Sequence, residues 1–145
     1  MAVGDMKIFN EANAYMIDGG WEAADDIKVA LLTNAVNPTQ ADTTPALTDY
    51  TEVAAGGNYA AGGISIGTLG ACVVAAAAVM TFDSATNPTW AQHASNPANA
   101  YWGLIYHVTS GQAIGFVDLA GPVNMTLGAL TITWNVAGIF TTTIT

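Results

Sequence analysis

The sequence contains no arginine and only two lysines, Lys7 and Lys28, against eleven acidic residues, a formal net charge of -9 over 145 residues. A protein that tracks a nucleic-acid backbone needs a stripe of cations to displace counterions from the phosphates, so that role is excluded. Cys72 is the single cysteine, which rules out an intrachain disulfide and a multi-thiolate metal site. It lies in an apolar run and reads as a small core residue. Charged residues of both signs amount to 9% of the chain, where about 25% is usual. A monomer keeps its exterior wet largely with such side chains. With so few, the surface must be built from Thr, Asn, Ser and Gly or be covered by partners, the pattern of a subunit in an assembly. The alternative is a monomer with a neutral, hydroxyl-rich exterior. The acidic balance repels nucleic acid and steers the chain towards neutral or basic protein surfaces.

Other absences narrow the class further. The opening MAVGDMKIFN places a carboxylate and an amide where a secretory leader needs an apolar core, so export by the general pathway is not expected. The stretch 64–82 holds nineteen residues without a charge, long enough for a membrane span. It is nevertheless rich in Ala and Gly and has no basic anchor beside it, so buried strands are the better reading and no membrane partner is expected. No HExxH, GxSxG, P-loop or dinucleotide motif is present. His93 and His107 have no partner motif, so neither is assigned a catalytic or metal role, and an enzyme is not expected.

What is present is a set of short strands. The length fits one domain, 1–145, that buries roughly two-thirds of its unfolded surface. Residues 1–20 are predicted to form an N-terminal helix, with Gly4 and Asp5 at its start, Phe9, Ala12 and Met16 on one face, and Gly19-Gly20 at its end. Its apolar face must dock on its own subunit or on a neighbour. From Ile27 the period becomes two: Ile27, Val29 and Leu31 share one face, while Lys28, Ala30 and Leu32 share the other. Residues 34–49, with Pro38 and Pro45, are too rich in breakers for a central strand.

Two diglycines, 56–57 and 62–63, bracket a bend that carries Tyr59. Strands are predicted over 64–69 and 71–82, with a helix over 71–80 as the alternative because Ala favours it. A hairpin follows: Trp102, Leu104, Tyr106 and Val108 on one strand, Thr109-Ser110-Gly111 as the turn, Ile114 and Phe116 on the partner. Leu130, Ile132, Trp134 and Val136 alternate with polar residues, and 139–145 is a Thr-rich strand suited to a sheet edge. Together these predict a mainly β chain, an antiparallel β-sandwich body over 21–145 with one N-terminal helix.

Chemistry is sparse in this pattern. Asp25, Asp26, Asp42, Asp49 and Glu52 offer oxygens to a hard cation such as calcium, but their spacing is not that of an EF-hand, and a solvated acidic rim is the expectation, with no metal and no cofactor. Of the four tryptophans, Trp102 and Trp134 fall on apolar parity and read as core. Trp90 and Tyr59 are the aromatics placed for display. Asn124-Met125-Thr126 matches a glycosylation acceptor by chance.

The order of segments carries a resemblance. DDIKVALLTN (25–34), DYTEVAAGGNYAAGGISIG (49–67), NPTW (87–90), YWGLIYHV (101–108), QAIGFVDL (112–119) and LTITWNVAGIF (130–140) resemble a family of small tailed-phage virion proteins. There a helix, an IKVALLT-like strand, a Y…GG bend, a P-x-W turn, a GYIDF-like strand and a W-x-x-x-GI strand recur in this order. The resemblance spans nearly the whole chain and implies a non-enzymatic capsid cement or decoration protein. Its partners would be the major capsid protein and copies of itself as a homo-oligomer. Its location would be the virion's capsid surface after synthesis in the host cytoplasm. Phe9, Met16, Tyr59 and Trp90 are the candidate partner contacts. The Ala run 75–78 and the scarcity of charge depart from that family. A tail-tube or tail-fibre subunit and a glycan-binding display module are the alternative roles.

Overall fold

The computed structural model describes residues 5–18, 22, 24–68, 73–76, 79–82, 87–134 and 139–143. Among them the chain is mainly β, every strand pairing is antiparallel, and one short helix lies near the N-terminus, as the sequence predicts.

The main sheet has five strands. β1 (Met6–Ile8) lies beside β8 (Ala113–Val123), β8 beside β7 (Ala100–His107), β7 beside β2 (Asp26–Leu32), and β2 beside β3 (Ile64–Thr68). The β7–β8 pair is the predicted hairpin, with Leu104 opposite Phe116 and Gly103 opposite Val117. β2 pairs with β7 from Ile27 opposite His107 to Leu32 opposite Trp102. Two smaller sheets complete the pairing. β4 (Val73–Ala76) lies between no two strands but edges β5 (Val79–Phe82), which pairs in turn with β10 (Phe140–Thr143); β6 (Thr89–Trp90) pairs with β9 (Leu130–Thr131). The Thr-rich strand is indeed a sheet edge.

Period-two alternation sends side chains to two cores on opposite faces of the main sheet. Ile27, Val29, Leu31, Ile105 and Val117 face one core, which also takes in Tyr59, Trp90, Met125 and Ile132. The β6–β9 ladder thus forms a second layer of a sandwich on that face. Leu32, Leu104, Phe116 and Ala113 face the other core, closed by Phe9, Ala12 and Tyr50. The mixed face of β2 is therefore buried too: Ala30 and Leu32 are as inaccessible as Val29. Each large side chain fully buried in these layers contributes about 1.5–3 kcal/mol.

The N-terminal helix is shorter than predicted and begins later. Residues 6–8 are β1, with Met6 opposite Val117 and Ile8 opposite Gly115, and the helix α1 spans only Ala12–Ile17. The outer edge of β8 offers carbonyls and amides that a three-residue strand satisfies, and Phe9 N continues that ladder to Ile114 O at 3.1 Å. Sheet pairing outweighs the helical spacing of a few apolar residues. The apolar side of this segment docks on its own subunit: the Phe9 ring lies 5.1 Å from Phe116 and 6.4 Å from Tyr50, centroid to centroid.

The alanine-rich stretch forms two paired strands, β4 and β5, rather than one strand or a helix; Cys72 lies outside the described residues. The predicted strand at 130–136 pairs over Leu130 and Thr131 and continues through Ile132 N to Pro88 O, 3.1 Å. No helix among the described residues is long and apolar enough to cross a membrane.

Candidate functional site

Three segments distant in sequence converge where β7 begins and β8 ends. The first is the bend 56–63. β3 covers β2 only as far as Val29 opposite Ile64, so the next outward amide, Leu31 N, faces no strand carbonyl. The Tyr59 hydroxyl takes that place, accepting from Leu31 N at 2.9 Å. It donates in turn to Glu52 Oε1 at 2.6 Å, and the same oxygen accepts Gly62 N at 2.6 Å. Gly62 and Gly63 have φ of +81° and +72°, a region that side chains other than Gly enter at a cost. A Cβ on Gly63 would also overlap the Val29 carbonyl. Burial, and then the Glu52 carboxylate, hold the Tyr59 proton well above the ordinary phenol range.

The second and third segments are 91–97 and 124–129, joined to the bend by Asn96. Its side chain is 5% exposed. Its Oδ1 accepts Asn58 N at 2.6 Å, and its Nδ2 donates to Ala91 O at 2.8 Å and Met125 O at 3.2 Å. One amide therefore ties all three loops, and its capacity is used where water cannot replace it. Asn58 Nδ2 donates to Ala91 O, and Gln92 Nε2 donates to Thr126 O at 2.6 Å. Asn124 Oδ1 accepts both the amide and the hydroxyl of Thr126, an Asx turn. Gly56 and Gly57 pack so closely on Ser95 and Asn96 that a Cβ on either would collide with them.

At the opposite end of the sheet, His107, 1% exposed, places Nε2 at 2.8 Å from Asp25 Oδ2 and Nδ1 at 2.7 Å from Ser110 Oγ. Nucleophile, imidazole and carboxylate in contact have the order of an acyl-transfer relay, and the sequence pattern hides it because Asp25 lies on a different strand entry. Ser110 N donates to Nδ1 at 3.2 Å; since an amide only donates, Nδ1 is assigned as the acceptor and Nε2 as the proton carrier facing Asp25. A relay also needs amides free to hold an oxyanion. Here Gly111 N is bonded to His107 O and Gln112 N to Ser110 Oγ, so the amides of Ser110, Gly111 and Gln112 are all committed. The arrangement closes the β7–β8 hairpin and fastens Asp25, at the entry to β2, to it. Hydrogen bonds from Glu22 N and then from His107 hold the Asp25 carboxyl below its usual range.

Three further acids serve separate structural roles. Asp42 accepts from Thr39 and from Tyr50 Oη, the latter at 2.7 Å. Asp49 accepts Ala46 N at 2.8 Å, and Asp26 accepts the Ser65 hydroxyl. Among the described residues no three His, Cys, Asp or Glu are grouped as metal ligands.

The structure turns inward the two aromatics predicted for display. Tyr59 is 2% and Trp90 3% exposed, and their rings pack together at 6.1 Å. They are core, not display: the bend turns the Tyr59 phenol inward to the Leu31 amide, and pairing with β9 holds Trp90 in the second layer against the main sheet. Phe9 is fully buried; the side chain of Met16 lies outside what is described. Asn96, Glu52 and the His107–Asp25 pair carry no spacing signal, since their partners come from other strands. Comparison with protein-family models, with curated proteins and with solved structures found no match to this chain in any of the three.

Proposed function

We propose that the protein is a capsid cement or decoration subunit of a tailed phage, acting as a homo-oligomer that stabilises the shell through contacts with the major capsid protein. The observation that carries this reading is the ordered series of motif segments, read together with a charged fraction of 9%. The folded arrangement is compatible with it. The IKVALLT, YWGLIYHV and QAIGFVDL segments supply β2, β7 and β8, and both faces of their sheet are covered. Such a body is a rigid block, able to bridge shell subunits without internal rearrangement. A protein that binds only the mature shell stabilises that state by its binding free energy, and many weak contacts on one particle add their effects.

A glycan-binding role loses its support, because Tyr59 and Trp90, the aromatics that would stack on a sugar, are buried. A tail-tube or tail-fibre subunit is the remaining alternative and would form open stacks or rods when purified. The deciding experiment mixes the purified protein with undecorated capsids. Binding with a raised capsid melting temperature is expected; no binding and no shift would overturn the reading.

A further inference from the structure

Residues 5–17 are held by the rest of the chain much as a peptide is held by a receptor. The outer edge of β8 pairs with β1 from Met6 opposite Val117 to Ile8 opposite Gly115. Gly115 is bare where a side chain would overlap Lys7 O and the Met6 methyl. Phe9, with no exposed surface, packs in one cluster with Leu32, Tyr50, Leu104 and Phe116, and Ala12 beside it is equally inaccessible. The connection 34–49 closes over the backbone. Gln40 Nε2 donates to Ile8 O at 3.0 Å, Asn10 N donates to Gln40 O at 3.0 Å, and Thr44 N donates to Glu11 Oε2 at 2.5 Å. Strand edge, bare glycine, Phe9 pocket and clasp are together complementary to one sequence, which is this chain's own.

A single connector joins the segment to the body. Helix α1 ends at Ile17, and Asp25, just before β2, is fastened to the hairpin by His107. Between them, residues 18–24 include Gly19 and Gly20, the residue type with the widest choice of backbone angles. A stretch of that length reaches about 23–25 Å when extended, enough to carry the segment to a copy packed alongside. Among the described residues the exposed large apolar side chains are Val36, Val108 and Leu127. They stand on separate segments, so none of them is the centre of an apolar interface.

We infer that residues 5–17 are exchanged between two copies of the chain, each segment filling the β8 edge and the Phe9 pocket of the other. The fit selects the occupant, because the site reads this segment. Exchange keeps every ladder bond and ring contact and leaves the sandwich body as it is; only the connector opens. With contacts equal in both arrangements, concentration decides between them. A short flexible tether holds its own segment at an effective concentration in the mM range, so dilute chains close on themselves and crowded copies exchange. Copies fixed side by side on one shell are crowded in this sense. The inference rests on the homo-oligomeric part of the proposed function and supplies its means.

Two variants of the full chain, each in a Cys72→Ser background, test it. One carries Met6→Cys and the other Val117→Cys, positions opposite each other in the ladder. They are mixed, oxidised gently and analysed by mass spectrometry for a 6–117 disulfide. Each chain has one cysteine, so that bridge forms only if exchange brings residue 6 of one copy to residue 117 of the other. The bridge is expected, with a yield that rises about tenfold or more between roughly 10 μM and 1 mM protein. One chain carrying both substitutions is the folding control and should bridge in cis when dilute. If it does, and the mixture gives no 6–117 bridge at any concentration, the inference is overturned. If it does not, sedimentation of the wild type after concentration to about 1 mM and dilution decides: a dimer that outlasts dilution supports exchange, and a monomer throughout overturns it. Exchange by a chain that ignores capsids would sink the cement reading alone; capsid binding by a chain that never exchanges would sink this inference alone.

Discussion

Ile132 lies over Gly103 so closely that a Cβ on the glycine would sit 2.9 Å from Ile132 Cδ1. Gly103 is in β7, in the middle of the main sheet, and Ile132 follows β9 in the second layer. The missing side chain is what lets the two layers meet at this point. Gly103→Ala should therefore cost about 0.5–1.5 kcal/mol, the cost of turning the free end of Ile132 away from its preferred rotamer. Ile132→Val alone should cost about 0.5–1.5 kcal/mol. The double variant should be more stable than the sum of the two predicts, since valine lacks the methyl that clashes. Urea denaturation of the four proteins checks this, and strict additivity would count against the contact.

The Tyr59 hydroxyl completes the hydrogen bonding of Leu31 in place of a strand. Tyr59→Phe keeps the ring on Trp90 but leaves Leu31 N and Glu52 Oε1 without that partner. A loss of about 1–3 kcal/mol is expected for buried groups left unsatisfied. That corresponds to roughly 2–4 °C per kcal/mol in melting temperature for a chain near this size. An unchanged melting curve would mean that water replaces the hydroxyl.

Acid should weaken the fold through Asp42. Burial works against its charge, but the hydrogen bonds from Thr39 and Tyr50 outweigh it and hold its carboxyl below the ordinary range. A carboxyl whose folded value lies below its unfolded one stabilises the fold above about pH 4, and that contribution is lost as pH falls through the lowered value. Asp42→Asn should lower stability at neutral pH and flatten the acid limb of a plot of unfolding midpoint against pH. An acid limb identical to the wild type would remove Asp42 from the account.

Ser110 should behave as a turn residue. Ser110→Ala should cost about 1 kcal/mol through its bonds to His107 and Gln112. Hydrolysis of an activated ester should be the same for the wild type and the alanine variant, because the amides of Ser110, Gly111 and Gln112, the ones nearest the hydroxyl in sequence, are already bonded. Ester turnover by the wild type that disappears in Ser110→Ala would show the relay to be functional.

Much of the architecture was legible because local patterns carry it. Period-two runs at 27–32 and 102–108 can bury their apolar residues only as strands, and Thr109-Ser110-Gly111 can only be a turn between them. The scarcity of charge was legible as a statement about the surface. Residues 6–8 were not: their fate depends on an open edge of β8, a strand more than a hundred residues away, and nothing in MKIF announces that edge. Tyr59 failed as a display residue for the same reason, since an aromatic between diglycines reads alike whether the bend turns outward or inward, and Trp90 failed because its burial depends on β6 pairing with β9, forty residues away.

The sequence by itself determined a mainly β, antiparallel chain with too few ions to stay wet by charge alone, because side-chain periodicity and composition are local quantities. Only the tertiary structure decided which polar groups meet. Asn96 joins three loops and His107 reaches Asp25, because hydrogen bonds depend on distances in space that the order of residues does not contain.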